Sequence, residues 1–381
     1  MSRPARSPTL SPTFPGPAVR FAILGTGTVA RAFAEDLRLV AGARLTAVGS
    51  RSIERAQAFA REFAAAHAHS AVDDLAHDAE VDVVYVATPH SRHHDDCLAC
   101  LNGGRAVLCE KPFTVDHAQA QSVIAAAREH GLFCMEAMWM RFHPLILKTQ
   151  SLIASGALGD IRLFRADFGY TTPFDPESRF FNRALAGGAL LDRGVYPLSL
   201  AHFLLGKPDE IVGRPFIGET GVDEQFSALL TYSSGTIGIV TATLRSRLRN
   251  EAVVIGTKGS IEIRDPFFAP RQIVVKRFHE PVAADVRPGG GRLARLKRNP
   301  ILGAAFERVG RPILDHLRNR GERFTHHEPG NGYEYEAAEV VRRLQAGETE
   351  SPIMSLNDTL NVMADVDALR GSWNLLETSP K

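Results

Sequence analysis

The stretch Val19-Arg20-Phe21-Ala22-Ile23-Leu24-Gly25-Thr26-Gly27-Thr28-Val29-Ala30 decides how the chain is read. Its apolar run is too short for a helix and ends in two glycines one residue apart. A helical pattern follows, with Val29, Ala30, Phe33, Ala34 and Leu37 on one face. Strand, tight turn and helix in that order present free backbone N–H groups and a helix N-terminus to a phosphate. Gly25 suits the turn, Gly27 lets a pyrophosphate approach where no Cβ stands, and Ala30 still permits close helix–strand packing. With Thr26, Thr28 and Val29 they make the candidate phosphate loop. Taken alone, a Gly-x-Gly-x-x-Ala also fits a purely structural turn. Later residues decide between the two.

Downstream, Arg44–Ser50 reads as a second strand and Ile53–Ala66 as a helix. In an NAD-binding unit the second strand usually ends in a carboxylate that holds the ribose 2′-hydroxyl. Here the end is Gly49-Ser50-Arg51-Ser52, with no acid. Ser50 and Arg51 suit a 2′-phosphate, because a guanidinium pairs with phosphate in a bidentate way. NADP is therefore the expected cofactor, with NAD possible; the alternative for Arg51 is a solvated loop side chain.

Val81–Pro89 reads as a buried parallel strand ending at Thr88-Pro89, with a helix from about His93 to Leu101. His90, His93, His94, Asp95 and Asp96 invite a metal reading. A strand-to-helix turn near the nicotinamide ribose, with acids in the first helical turn, accounts for them better, and no metal is expected. Ala106–Cys109 then runs into Glu110-Lys111-Pro112. Repeated strand–helix alternation implies a doubly wound parallel sheet. Lys111 stands at the carboxyl end of a strand, where open α/β sheets bind ligands, and is placed to share a proton with substrate. A surface ion pair with Glu110 is the competing reading. The helix His117–His130 and strand Leu132–Glu136 complete the unit, and Trp139 follows in an aromatic exit.

Beyond this the texture changes. Ile161–Phe168, Glu210–Ile217, Gln225–Tyr232, Thr236–Leu244, Ala252–Ile255, Ser260–Ile263 and Gln272–Phe278 read as closely spaced strands. They predict a mostly antiparallel sheet with a helix at Gly188–Leu205, and such a sheet needs a partner for its second face. Helices at Gly332–Ala346 and Leu356–Leu376 close the chain. The expected domains are a disordered tail (1–18), a Rossmann domain (19–141) and a substrate-binding, dimerisation domain (142–381).

Bulk composition narrows the function. A chain of 381 residues with net charge +1 gives no pull toward nucleic acid or an anionic membrane. Arg287, Arg292, Arg295, Lys297 and Arg298 lie among glycines and prolines without an aromatic platform, which reads as a solvated loop. No apolar run is long enough to span a bilayer. Four cysteines suit a reducing cytoplasm, and Cys97-x-x-Cys100 has no second pair beside it. Residues 1–18 carry five prolines and no acid, which reads as a disordered tail.

In combination these residues resemble the Gfo/Idh/MocA oxidoreductases over about residues 19–376. The likeness rests on Gly25–Ala30, Thr88-Pro89, Glu110-Lys111-Pro112 and Gly187-Gly188-Ala189-Leu190-Leu191-Asp192. It is nearest to the branch of dimeric dihydrodiol dehydrogenases and NADP-dependent xylose dehydrogenases. Glu136-Ala137-Met138-Trp139, Phe174-Asp175-Pro176 ahead of Arg179-Phe180, and Gly194-Val195-Tyr196 carry that.

The resemblance implies a Rossmann domain and a second α/β domain whose open sheet forms a dimer, or a dimer of dimers. It implies reversible hydride transfer between NADP and a hydroxyl-bearing carbon of a sugar, cyclic polyol or trans-dihydrodiol. Much of the wider family places a histidine where this chain has Tyr196; in the nearer branch the tyrosine is the acid/base beside the lysine. Lys111, Asp192 and Tyr196 are therefore the expected catalytic residues, and Lys111 is expected to lower the phenol's pKa. Trp139, Phe168 and Arg179 are implied as substrate contacts, and Thr88, Pro89, His93, Glu110 and Lys111 as cofactor contacts. His202 is a competing base on a different helical face. The alternatives are a catalytically silent dinucleotide sensor and an NAD-dependent inositol-type enzyme on the same fold.

Overall fold

A computed structural model describes residues 16–278 and 321–377. Most of the expected tail and the basic stretch 287–298 lie outside the described residues. The first sheet has six parallel strands: β1 (Val19–Leu24), β2 (Ala43–Gly49), β3 (His67–His69), β4 (Val83–Val86), β5 (Ala106–Glu110) and β6 (Cys134–Ala137). Their order is β3-β2-β1-β4-β5-β6. Helices α1 (Thr28–Leu37), α2 (Ile53–Phe63), α3 (Val72–Ala76), α4 (His93–Asn102) and α5 (His117–His130) make the crossovers. Strands β4, β5 and β6 are buried along their whole length. That is why they read as continuous apolar runs rather than alternating ones. Strand order reverses between β1 and β4, and the crevice beyond their carboxyl ends is where such sheets bind ligands.

The chain then passes through α6 (Pro144–Ala154) into a second sheet of β7 (Ile161–Gly169), β8 (Glu210–Ile217), β9 (Asp223–Thr231), β10 (Ile237–Thr243), β11 (Ala252–Gly256), β12 (Gly259–Ile263), β13 (Gln272–Arg277) and β14 (Glu322–Thr325). The order is β14-β13-β12-β11-β7-β10-β9-β8. Every neighbouring pair is antiparallel except β7 with β10. The expected combination of a Rossmann sheet with a mostly antiparallel second sheet is thus present. The helix expected over Gly188–Leu205 opens as a π-turn (Leu190–Gly194) and becomes α-helical only in α7 (Val195–Leu205).

Two closing helices, α8 (Tyr333–Gln345) and α9 (Leu356–Glu377), tie the sheets together. The Asp36 carboxylate on α1 accepts from the Asn331 amide at 2.8 Å and the Tyr333 amide at 2.9 Å, capping α8 from the Rossmann side. Helix α9 packs on α5 and β6 of the first sheet and on α7 and β8 of the second. None of the described helices is long and apolar enough to cross a membrane.

Candidate active site

The phosphate loop is built as its two glycines require. Gly25 has φ +116°, and a Cβ there would stand 2.5 Å from the Ala87 carbonyl oxygen. Only glycine fits that turn from β1 into α1, where the chain passes against the residue after β4. Gly27 is different: its backbone is extended, and a Cβ there would meet none of the described residues within 4 Å. Protein packing does not demand a glycine at that point, whereas close approach of a ligand does. Helix α1 starts at Thr28 with no side-chain cap and no acid in its first turn, leaving its N–H groups and positive end for a phosphate. These residues fit a dinucleotide. Ser50 and Arg51 follow β2, Thr88 and Pro89 follow β4, and Glu110 with Lys111 ends β5, so the expected cofactor residues share one edge of the sheet.

Lys111, Asp192 and Tyr196 do come together. Lys111 Nζ donates to the Asp192 carbonyl oxygen at 3.0 Å and lies 3.8 Å from Asp192 Oδ1. It also sits 4.9 Å from the centre of the Tyr196 ring. Trp139 Nε1 donates to the Tyr196 hydroxyl at 3.0 Å. Arg179 Nη1 donates to Asp192 Oδ1 at 2.9 Å. Phe168 meets Tyr196 edge-on with ring centres 5.2 Å apart. The site is therefore a buried phenol on an indole donor, walled by aromatic rings and faced by one ammonium.

Charge is distributed unevenly across it. Burial alone would raise the Asp192 carboxyl, but Lys111 and Arg179, with Arg193 behind, hold it down at about 2. Asp192 is thus an anion that fixes the cations around it. Tyr196 departs from expectation. Burial, reinforced by the Glu110 charge, pushes the phenol well above its ordinary value near 10, and only the Trp139 hydrogen bond pulls the other way. The physical reason lies in placement: Lys111 lies against the face of the ring and spends a hydrogen bond on a carbonyl, while the hydroxyl sits in an apolar aromatic wall.

Residues 19–138 match the oxidoreductase family's NAD-binding Rossmann fold, and residues 146–262 match the GFO/IDH/MocA C-terminal domain. The chain belongs to the Gfo/Idh/MocA oxidoreductase family. Pig trans-1,2-dihydrobenzene-1,2-diol dehydrogenase is 36% identical over 355 residues, covering 92% of this chain and 95% of the relative. A crystal structure of a 3-ketoreductase from Actinomadura kijaniata, in complex with NADP and TDP-benzene, superposes with a TM-score of 0.72 at 25% identity. It covers 93% of this chain and 98% of the reductase. A levoglucosan dehydrogenase in complex with NADH shares the fold at a TM-score of 0.77 and 20% identity, covering 94% and 98%. This oxidoreductase is an NAD(P)-dependent dehydrogenase, so a silent sensor is set aside.

Other residues of the dehydrogenase serve the site from behind. His93 is fully buried, with Nδ1 at 2.8 Å from the Pro112 carbonyl oxygen and Nε2 at 2.9 Å from that of Thr88. It braces the two strand ends together. Burial, followed by the neighbouring His93 and Lys111, drives His90 down to about 3. His202 is hydrogen-bonded to Asp365 of α9 at 2.7 Å, away from Tyr196. All four cysteines are buried free thiols.

Sequence reading missed three contributors. Asp223, at the start of β9, accepts from the Leu190 amide at 2.6 Å and so anchors the turn carrying Asp192. Arg193 holds the carbonyls of Tyr170 and Thr243 and the Thr172 hydroxyl. Phe268 stacks on Phe168 with centres 4.6 Å apart and stands 5.6 Å from the Tyr196 ring. Arg193 stands between the quoted motifs, next to Asp192, whereas Asp223 and Phe268 lie in no local motif and reach the site through tertiary packing.

Proposed function

We propose that the enzyme catalyses reversible, NADP-linked oxidation of a ring hydroxyl, on a trans-dihydrodiol or a cyclic sugar or polyol of similar shape. The observation that carries this reading is the Tyr196 hydroxyl, fixed by Trp139 at 3.0 Å inside the Lys111–Asp192 pair. When bound, the nicotinamide supplies hydride exchange at its C4. Tyr196 handles the hydroxyl proton: its raised pKa keeps it protonated near neutral pH, ready to donate to a carbonyl oxygen in the reducing direction. The Trp139 N–H occupies one side of the phenol oxygen and stabilises the phenolate that forms when the proton leaves. Lys111 supplies positive charge against the face of the Tyr196 ring, 4.9 Å from its centre, and Asp192 holds Lys111 and Arg179 in place. Phe168 and Phe268 favour a substrate with a flat or apolar ring face, and the name of the pig relative agrees with that.

NADP rather than NAD is supported by the end of β2. Ser52 is spent as the cap of α2, accepting from the Arg55 amide at 3.3 Å and donating to Glu54 at 2.7 Å. The exposed Arg51 remains as the cation for a 2′-phosphate. A second copy of the chain is the proposed partner of the face of the second sheet that no described helix covers.

Tyr196→Phe tests the assignment. It should lower kcat by at least about a hundredfold while leaving NADPH affinity, read by tryptophan fluorescence, within about twofold of wild type. A variant that kept most of its turnover would overturn the role of Tyr196. The same titration should show NADPH binding at least about tenfold tighter than NADH, about 1.4 kcal/mol, with the preference lost in Arg51→Ala. Equal binding in the wild type would remove the 2′-phosphate argument.

A further inference from the structure

Away from the reacting centre, His67, His69 and Asp78 bring two imidazole nitrogens and one carboxylate oxygen together, all within 4.8 Å of one another. His67 and His69 are alternate residues on β3, so both side chains leave the same face of the sheet. Strand β3 is the outermost of the six and, among the described residues, pairs only with β2. Asp78 follows α3. Its Oδ2 lies 2.5 Å from His67 Nδ1 and 2.9 Å from His69 Nε2, while Oδ1 accepts the Glu80 amide at 2.9 Å. That backbone bond fixes the carboxylate plane and aims the other oxygen at both rings, the role an outer-shell hydrogen bond plays for a metal ligand. The Asp78 side chain is 6% exposed, against 38% for His67 and 21% for His69. The carboxylate therefore forms the floor, and solvent reaches the imidazoles.

We propose that His67, His69 and Asp78 form a binding site for one divalent first-row transition cation, of the class that takes imidazole and carboxylate together. Bonds of about 2.0–2.2 Å in tetrahedral zinc place ligand atoms about 3.3 Å apart. From 2.5 and 2.9 Å, the imidazoles need to draw back from the carboxylate oxygen by less than about 1 Å, which side-chain torsions supply. Three protein ligands leave at least one position for water on the exposed side.

The place of the site gives it a consequence. The His69 carbonyl accepts the Ser50 amide at 3.1 Å, next to Arg51. The metal would thus pin the edge strand that backs the adenosine end of the cofactor loop, far in sequence from Lys111 and Tyr196. The rival reading is a hydrogen-bonded stitch in which both rings share one carboxylate oxygen and no metal binds.

The test uses the full chain, stripped with a chelator, then titrated with Zn²⁺ by calorimetry and with Co²⁺ by visible absorption. Uptake of one equivalent, with a tetrahedral Co²⁺ band and a rise in Tm on adding Zn²⁺, is expected. In His69→Gln and in Asp78→Asn the affinity should fall at least about tenfold, while NADPH binding shows that the variants are folded. A His67→Gln chain provides the same readout should Asp78→Asn not fold. No uptake by the wild type, or uptake unchanged in the variants, overturns the site and leaves the hydrogen-bonded stitch. Because the readout is the metal itself, failure here is separate from failure of the dehydrogenase assignment.

Discussion

Glu336 on α8 has a fully buried side chain, and neither carboxylate oxygen has a hydrogen-bond partner among the described residues. Burial, together with the charges of Glu110, Asp36 and Glu334, raises its pKa well above the ordinary value of 4.5. A neutral acid is the form such an environment tolerates. Below about 4.5 the group is protonated in both folded and unfolded chains and contributes nothing. Above that, the unfolded chain releases the proton and the folded one keeps it, so stability falls as pH rises, by up to about 1.4 kcal/mol per unit until the folded group also ionises. Glu336→Gln removes this penalty. Its unfolding midpoint in urea should therefore gain on wild type between about pH 5 and pH 8, and a constant difference would show that Glu336 ionises normally in place.

At the scale of elements, the β1–loop–α1 unit was readable because its hydrophobic period switches abruptly from a continuous run to a helical stripe across two glycines. The structure separates what those glycines do. Gly25→Ala forces a Cβ to 2.5 Å from a carbonyl oxygen in a left-handed conformation, and should cost stability by about 1–3 kcal/mol. Gly27→Ala meets open space with an extended backbone, so it should keep the wild-type Tm yet weaken NADPH binding by at least about tenfold, about 1.4 kcal/mol. Calorimetric melting beside a fluorescence titration checks both; equal effects on Tm would contradict the distinction. Other elements were not legible. Strand β3 is His-Ala-His, three residues with no apolar signal, and the π-turn before α7 reads as ordinary helix because its sequence is helical in period. Lys111 was legible from its strand-end corner. Asp223 and Phe268 were not, since each reaches the site from a distant strand or loop. The direction of the Tyr196 shift was missed for the same reason: burial comes from rings that other segments bring.

At the scale of the whole molecule, the described helices cover the second sheet on one face only. Helices α6, α7 and α9 pack against the inner face. On the other, Val212 and Phe216 of β8, Leu229 of β9 and Ile237 of β10 are 47%, 59%, 47% and 49% exposed. Three of them lie side by side: Val212 is register partner to Leu229, which pairs across to Ile239, and Glu210 and Ile237 both pair with Thr231, while Phe216 stands beyond Arg214 on the same strand. A contiguous apolar face on a wide sheet is a standard place for a self-complementary, two-fold contact. A second copy would bring the same four side chains against themselves and extend the two-layer packing that the inner face already has. Leu229→Lys should therefore lower the assembled fraction measured by size-exclusion chromatography with light scattering, at least about tenfold in dimer affinity, with the fold retained because the position lies outside the core. A wild-type chain that runs as a monomer at micromolar concentration would remove the dimer and leave this face for another partner.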